Sequence, residues 1–288
     1  MSSPASHVPV SREFDLALGD HTLRVQFTRS PHPEADTRPT LVFLHDSLGC
    51  ITVWRDVPAR LAEALGCHAL VYDRRGYGRS SAFAPVPRHP GYLEDEARGV
   101  REVLDRCGVA DAVLFGHSDG GSIALLAAAM YPERVRAIVT EGAHVFVEER
   151  TLDGIREAKG WLASTDLRER LQRHHGALTD GVTSAWIDVW LSPAFRDWNI
   201  ERYLPRITCP ALVLQGADDE YGTPAQVEAI VRGIGAQATG HLIPGARHTP
   251  HRETPEVVTA LVRDFWWRLP AMRGRDGLTA PYRCGTRP

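Results

Sequence analysis

The chain has 288 residues, 43% of them hydrophobic and 24% charged, with a formal net charge of −3. That length and balance suit one soluble globular domain, or one domain with an inserted subdomain. The charge leaves no basic footprint for nucleic acid or an anionic membrane surface, and no run of 18 apolar residues offers a membrane span.

In chain order, Phe14 to Leu18 and Thr22 to Phe27 alternate apolar and polar residues around Gly19-Asp20, which predicts an opening antiparallel hairpin. After a proline-rich loop, the short apolar run ending at His45 predicts a strand buried on both faces. A helix is expected from Val53 to Leu65, then a second buried strand ending at Asp73 and the glycine-rich loop RRGYGRSS. The helix from Tyr92 to Cys107 leads to a third strand, Ala112 to Gly116, and directly to another helix after Ser118. Val135 to Gly142, Ala211 to Gly216 and Gly240 to Gly245 read as three more strands. A helix after Pro224 separates the last two, and an amphipathic helix from Pro255 to Leu269 closes the series. Strands alternating with helices predict right-handed crossovers and an α/β fold: a mostly parallel, doubly wound sheet.

One interval breaks the rhythm. Val145 to Leu204 has helical patterns, no strong strand run, and four of the seven tryptophans: Trp161, Trp186, Trp190 and Trp198. An insertion between two sheet strands is expected to lie across the carboxyl edge as a cap. The expected division is therefore a core of residues 1–144 and 205–270, a helical cap at 145–204, and a loose tail at 271–288. Cys50, Cys67, Cys107, Cys209 and Cys284 are scattered and odd in number, which fits a reducing, cytoplasmic setting. The amino-terminal stretch has no basic start followed by an apolar segment, so no secretory signal is expected.

The stretch Gly116-His117-Ser118-Asp119-Gly120-Gly121 lies between a strand and a helix. Gly-x-Ser-x-Gly in that context is the pattern of a nucleophile elbow, where small residues on both sides let a tight turn clear its neighbours. A serine hydroxyl needs a base, itself oriented by an acid, and in doubly wound sheets such groups gather at carboxyl strand ends. The strand ending at Gly216 is followed by Asp218 and Asp219, and the one ending at Gly245 by His248. Neighbouring side chains in an extended exit point oppositely, so only one of the two aspartates can face His248. The order Ser118, Asp219, His248 is that of elbow-bearing α/β enzymes.

With these residues stated, the chain resembles the α/β-hydrolase superfamily, in its capped serine-hydrolase branch, from Phe14 to Leu269. YDRRGYGRSS resembles the family's Asp-x-Arg-Gly-x-Gly-x-Ser loop, and YPERVRAIV its Pro-Glu-Arg-Val segment. QGADDEYGTP resembles its Gly-x-x-Asp acid loop, which selects Asp219, and PGARHTPHRETPE its Gly-x-x-His loop. The resemblance implies Ser118, Asp219 and His248 as the catalytic residues. It also implies an oxyanion hole made by the backbone N–H groups of Ser47 and Asp119. Asp46 stands where the family usually has glycine.

Other histidines receive plainer readings. His117 is expected to pack in the core or turn, and His174-His175 to face outward from the cap. His248 and His251 are an unpromising metal pair because Pro250 opposes the helix such spacing needs. His144, Trp186 and Trp190 are candidates for the substrate pocket, the tryptophans at i, i+4 spacing also suiting plain core. No metal ligand set or dinucleotide fingerprint is present, so neither metal nor cofactor is expected. The implied activity is hydrolysis of a small-molecule ester, thioester, amide or carbon–carbon bond beside a ketone. Nucleic acid and membranes are not expected partners, and a homodimer stays open. Three alternatives remain: a dehalogenase or epoxide hydrolase with an aspartate nucleophile, a cofactor-free oxidative enzyme, and a small-ligand binding protein on the same scaffold. Against the first, the glycines centre on Ser118 and leave Asp119 one place late.

Overall fold

The computed structural model describes residues 9–84, 86 and 88–270; the expected tail at 271–288, with Cys284, lies outside them. The opening hairpin is β1 (Val10–Leu18) and β2 (His21–Arg29), followed by β3 (Thr40–Leu44), α1 (Val57–Leu65), β4 (Ala69–Tyr72) and α2 (Tyr92–Arg106). Next come β5 (Ala112–His117), α3 (Asp119–Met130), β6 (Val135–Glu141), then α4 (Glu149–Ser164), α5 (Leu167–His175) and α6 (Thr179–Trp190). The chain returns to the sheet with β7 (Ala211–Gly216), α7 (Pro224–Ile234) and β8 (Ala238–Ile243), and finishes with α8 (Pro250–Glu253) and α9 (Pro255–Trp266).

The strands form one sheet in the order β1-β2-β4-β3-β5-β6-β7-β8. β1 and β2 pair antiparallel, β2 meets β4 antiparallel, and every pair from β4 to β8 is parallel. The central strands are continuously apolar because both of their faces are covered. Val42, Leu44, Leu114 and Ile138 face one core with α2 and α3, while Leu41, Phe43, Val113 and Phe115 face the other with α1 and α9. Each such side chain contributes about 1.5–3 kcal/mol of burial. α3 is buried nearly all round, which is why its run of alanines and leucines shows no polar face.

Among the boundaries that depart from the expected ones, two have a clear local cause. The helix expected from Val53 begins at Val57, because Ile51–Trp54 form a separate 3-10 turn and Arg55 adopts a positive φ of 54°. The last strand begins at Ala238 rather than Gly240. It is an edge strand, and exposed residues such as Thr239 hide its start from an apolar-run reading.

Between β6 and β7 the chain is helical, as expected of the insertion, and it crosses the carboxyl edge of the sheet. Arg150 Nε donates to the Asp219 carbonyl at 2.8 Å, and Thr151 Oγ1 donates to the Tyr221 carbonyl at 2.6 Å. Among the described residues no helix is long and apolar enough to cross a membrane.

Candidate active site

Ser118 sits at the junction of β5 and α3 with φ 54° and ψ −119°, a conformation rarely adopted by a residue with a side chain. The turn is so close to its surroundings that only glycine fits. A Cβ at Gly116 would overlap the Gly120 carbonyl, and one at Gly120 would overlap the Leu44 carbonyl. The Ser118 N–H donates to the Glu141 carbonyl at 2.8 Å, tying the elbow to β6.

From there Ser118 Oγ lies 3.0 Å from His248 Nε2, and His248 Nδ1 lies 2.9 Å from Asp219 Oδ1. An ionised carboxylate only accepts, so Nδ1 carries the proton and Nε2 is free to accept from the serine hydroxyl. Asp219 is buried. Burial alone would raise its pKa, but the charge and hydrogen bond of His248, with the Tyr221 N–H at 2.8 Å, hold it down to about 2. Asp218 is exposed, and its backbone N–H donates to the Ala246 carbonyl at 3.0 Å. The His248 peptide is gripped at both ends: its N–H donates to Glu220 Oε2 at 3.1 Å, and its carbonyl accepts from His117 Nε2 at 2.8 Å.

A pocket opens over this chain of hydrogen bonds. Ser118, His248, Ser47, Asp119, His144, Trp186 and Trp190 all line it, together with Leu48, Ile155 and Tyr221. Among the described residues no acceptor pairs with the backbone N–H of Ser47 or Asp119. The Asp119 carboxylate accepts from the Tyr92 hydroxyl at 2.9 Å and lies 3.8 Å from Arg74.

With this geometry in hand, residues 39–201 match the family model described as alpha/beta hydrolase fold. The chain belongs to that family. Among curated relatives of this alpha/beta hydrolase-fold chain, Serine hydrolase BPHL of Homo sapiens is 28% identical over 254 residues, covering 86% of this chain and 79% of the relative. Its counterpart in Mus musculus is 30% identical over 203 residues, 68% of each chain. The solved enol-lactonase from Burkholderia xenovorans LB400 superposes with a TM-score of 0.68 at 22% identity, over 88% of this chain and 100% of that one, a likeness of fold.

One side chain of this alpha/beta hydrolase-fold chain lies elsewhere than sequence reading expects. His175 does not face outward: it is buried, accepts the Gly78 N–H on Nδ1 at 2.9 Å and donates from Nε2 to the Leu48 carbonyl at 3.0 Å. It therefore staples α5 to the loops after β3 and β4. Its neighbour His174 lies 2.8 Å from the Thr52 hydroxyl. His251 is buried against Glu141, whose carboxylate bonds both its ring Nδ1 and, at 2.7 Å, its backbone N–H. Among the described residues no three His, Cys, Asp or Glu side chains are grouped as metal ligands. His144 is buried with Nε2 3.0 Å from the Tyr221 carbonyl, and burial holds its pKa below the ordinary value, so the ring is neutral.

Sequence reading misses Arg74 and Tyr92. Arg74 Nη2 donates to the carbonyls of His45 and Asp46 at 3.3 and 2.8 Å and so supports the loop that carries Ser47. Tyr92 links Asp119 to the insertion by accepting from Trp190 Nε1 at 2.9 Å. Trp186 and Trp190 thus serve both as core and as cavity wall. The DRRGYG stretch carries a signal for Arg74, but nothing in its spacing says which carbonyls the guanidinium meets.

Proposed function

We propose that this chain is a serine hydrolase that cleaves an acyl bond of a small molecule through an acyl-enzyme on Ser118. The observation that carries the reading is the chain from Ser118 Oγ through His248 to Asp219, with links of 3.0 and 2.9 Å. His248 takes the Ser118 proton as Oγ attacks a carbonyl, and Asp219 stabilises the imidazolium that forms. The Ser47 and Asp119 N–H groups receive the oxyanion, commonly the largest single electrostatic contribution. His248 then gives its proton to the leaving group, and water repeats the sequence on the acyl-enzyme.

The environment of Asp119 opposes an aspartate nucleophile, since its carboxylate is engaged by Tyr92 and faces Arg74. The serine hydrolase relatives support turnover rather than mere binding. The substrate is an ester, thioester, amide or a ketone-activated carbon–carbon bond. The cavity, walled by Leu48, Ile155, Trp186 and Trp190, suits a small, mostly apolar acyl group. Residues 145–204 act as the specificity cap on a core of 1–144 and 205–270. Rapid mixing with nitrophenyl esters, thioesters and β-diketones tests the reading. A burst of first product equal to the enzyme concentration, followed by turnover on one class, is expected. Tight binding without turnover on every class would favour a ligand-binding protein instead.

A further inference from the structure

Two loops that carry reactive groups meet on one buried imidazole. His117 Nε2 lies 2.8 Å from the His248 carbonyl oxygen, and His117 Nδ1 lies 3.5 Å from Asp46 Oδ2. Both partners are acceptors with no proton to give. A neutral imidazole has a single N–H and can satisfy one of them, whereas an imidazolium satisfies both. The ring is 3% exposed, so a charge there requires counter-charge inside the fold.

We propose that His117 is held as an imidazolium and acts as a positioning residue, tying the loop of the His248 base to the loop of the Ser47 oxyanion donor, with Asp46 as counter-ion. The role rests on the serine-hydrolase reading above. Asp46 immediately precedes Ser47, so whatever fixes its side chain also fixes the direction of the next N–H. Its backbone carbonyl is already bonded by Arg74 Nη2 and His45 Nδ1, at 2.8 and 2.7 Å, which leaves the carboxylate as the remaining handle. Room for that carboxylate comes from Gly49, where a Cβ would overlap Asp46 Oδ1. A glycine at position 46 would offer His117 no charge.

The titratable and charged groups around the ring come from every neighbouring element. They are His45 and Asp46 after β3, Glu141 at the end of β6, His248 after β8, and His251 and Arg252 on α8. His251 is itself paired with Glu141, so Asp46 is left as the carboxylate that forms an ion pair with His117, at 3.5 Å. Burial alone would lower the His117 pKa. The hydrogen bond and charge of Asp46, then the charge of Glu141, push it up to about 9. Burial would likewise raise Asp46, yet the His117 bond and charge hold it far below the usual carboxylate range. Because the His117 pKa is raised, the lock is complete at neutral pH and is lost as pH rises through about 9. Above that point one acceptor has no donor, and either the base loop or the oxyanion loop is released.

The test is a ring-nitrogen NMR titration of 15N-histidine-labelled protein from about pH 6 to about pH 10, with His117→Gln assigning the signal. Both His117 nitrogens should be protonated at neutral pH. The midpoint near 9 should fall by about one unit or more in Asp46→Asn, which removes the counter-charge. The alkaline limb of kcat should move with it while KM stays constant. His117→Gln keeps one N–H for the His248 carbonyl and loses the charge. Its kcat should drop about ten- to hundredfold at neutral pH, and it should lack that limb. A neutral His117 in active wild-type enzyme, or an alkaline limb unmoved in folded Asp46→Asn, overturns the proposal and leaves the hydrolase reading standing. Failure to turn over any acyl substrate defeats that reading and the positioning role together. If either variant unfolds, the wild-type ring titration still decides the charge.

Discussion

Replacing Asp219 with Asn removes a charge while keeping nearly every contact. Asp219 Oδ1 accepts both the His248 Nδ1–H and the Tyr221 N–H, so an Asn oxygen in that position can keep both bonds and the imidazole tautomer. Its amide nitrogen then takes the place of Oδ2, which is buried without a hydrogen-bond partner. Leaving that N–H unsatisfied costs about 1–3 kcal/mol of stability. The catalytic loss comes from the imidazolium, which no longer faces a negative charge. For charge centres about 3–4 Å apart at an effective dielectric near 20, that attraction is about 4–6 kcal/mol, or roughly three to four decades in rate. The drop of about 10⁴ in kcat on the same change in serine proteases has a similar size. Steady-state kinetics on an activated ester should therefore show kcat down about 10³–10⁴ with KM nearly constant. Circular dichroism should remain native. Asp218→Asn, at an exposed position, should change kcat less than about twofold. A folded Asp219→Asn enzyme within tenfold of wild type would refute the orienting role, and the reverse ranking would move it to Asp218.

Three further outcomes follow from the same geometry. Trp186→Leu should enlarge the cavity and raise the kcat/KM ratio of a bulky over an acetyl ester by about tenfold or more; an unchanged ratio in folded protein would remove Trp186 from the specificity wall. His175, whose pKa burial depresses, contributes stability above its ordinary value that is lost as pH falls through its folded value, when Nδ1 can no longer accept from Gly78. His175→Phe should accordingly flatten the acid side of the Tm–pH curve, and an identical acid slope would contradict the staple. Activity should survive exhaustive EDTA dialysis; loss reversed by one metal would contradict the metal-free mechanism.

Glycine spacing and strand ends make Ser118, Asp219 and His248 legible, because a tight elbow tolerates only certain residues and because parallel strands deliver side chains to one edge. The pairing of His117 with Asp46 is invisible to the same reading. The two are 71 positions apart and meet only when β3 and β5 lie side by side, and no periodicity encodes such an ion pair. His175 deceives for another reason. LRERLQRHH is polar nearly throughout, and its buried side is defined by the loops beneath it rather than by an apolar stripe. The late start of α1 depends on Arg55 taking a positive φ, which composition alone does not announce.

The central claim is that Ser118 is the nucleophile, and covalent labelling tests it most directly. Native protein treated with a fluorophosphonate should gain one adduct per chain by intact mass, and peptide mapping should assign it to Ser118. Ser118→Ala, folded by circular dichroism, should gain none and should hydrolyse no ester. A stoichiometric adduct on another residue, with ester hydrolysis persisting in the Ala variant, would contradict the account.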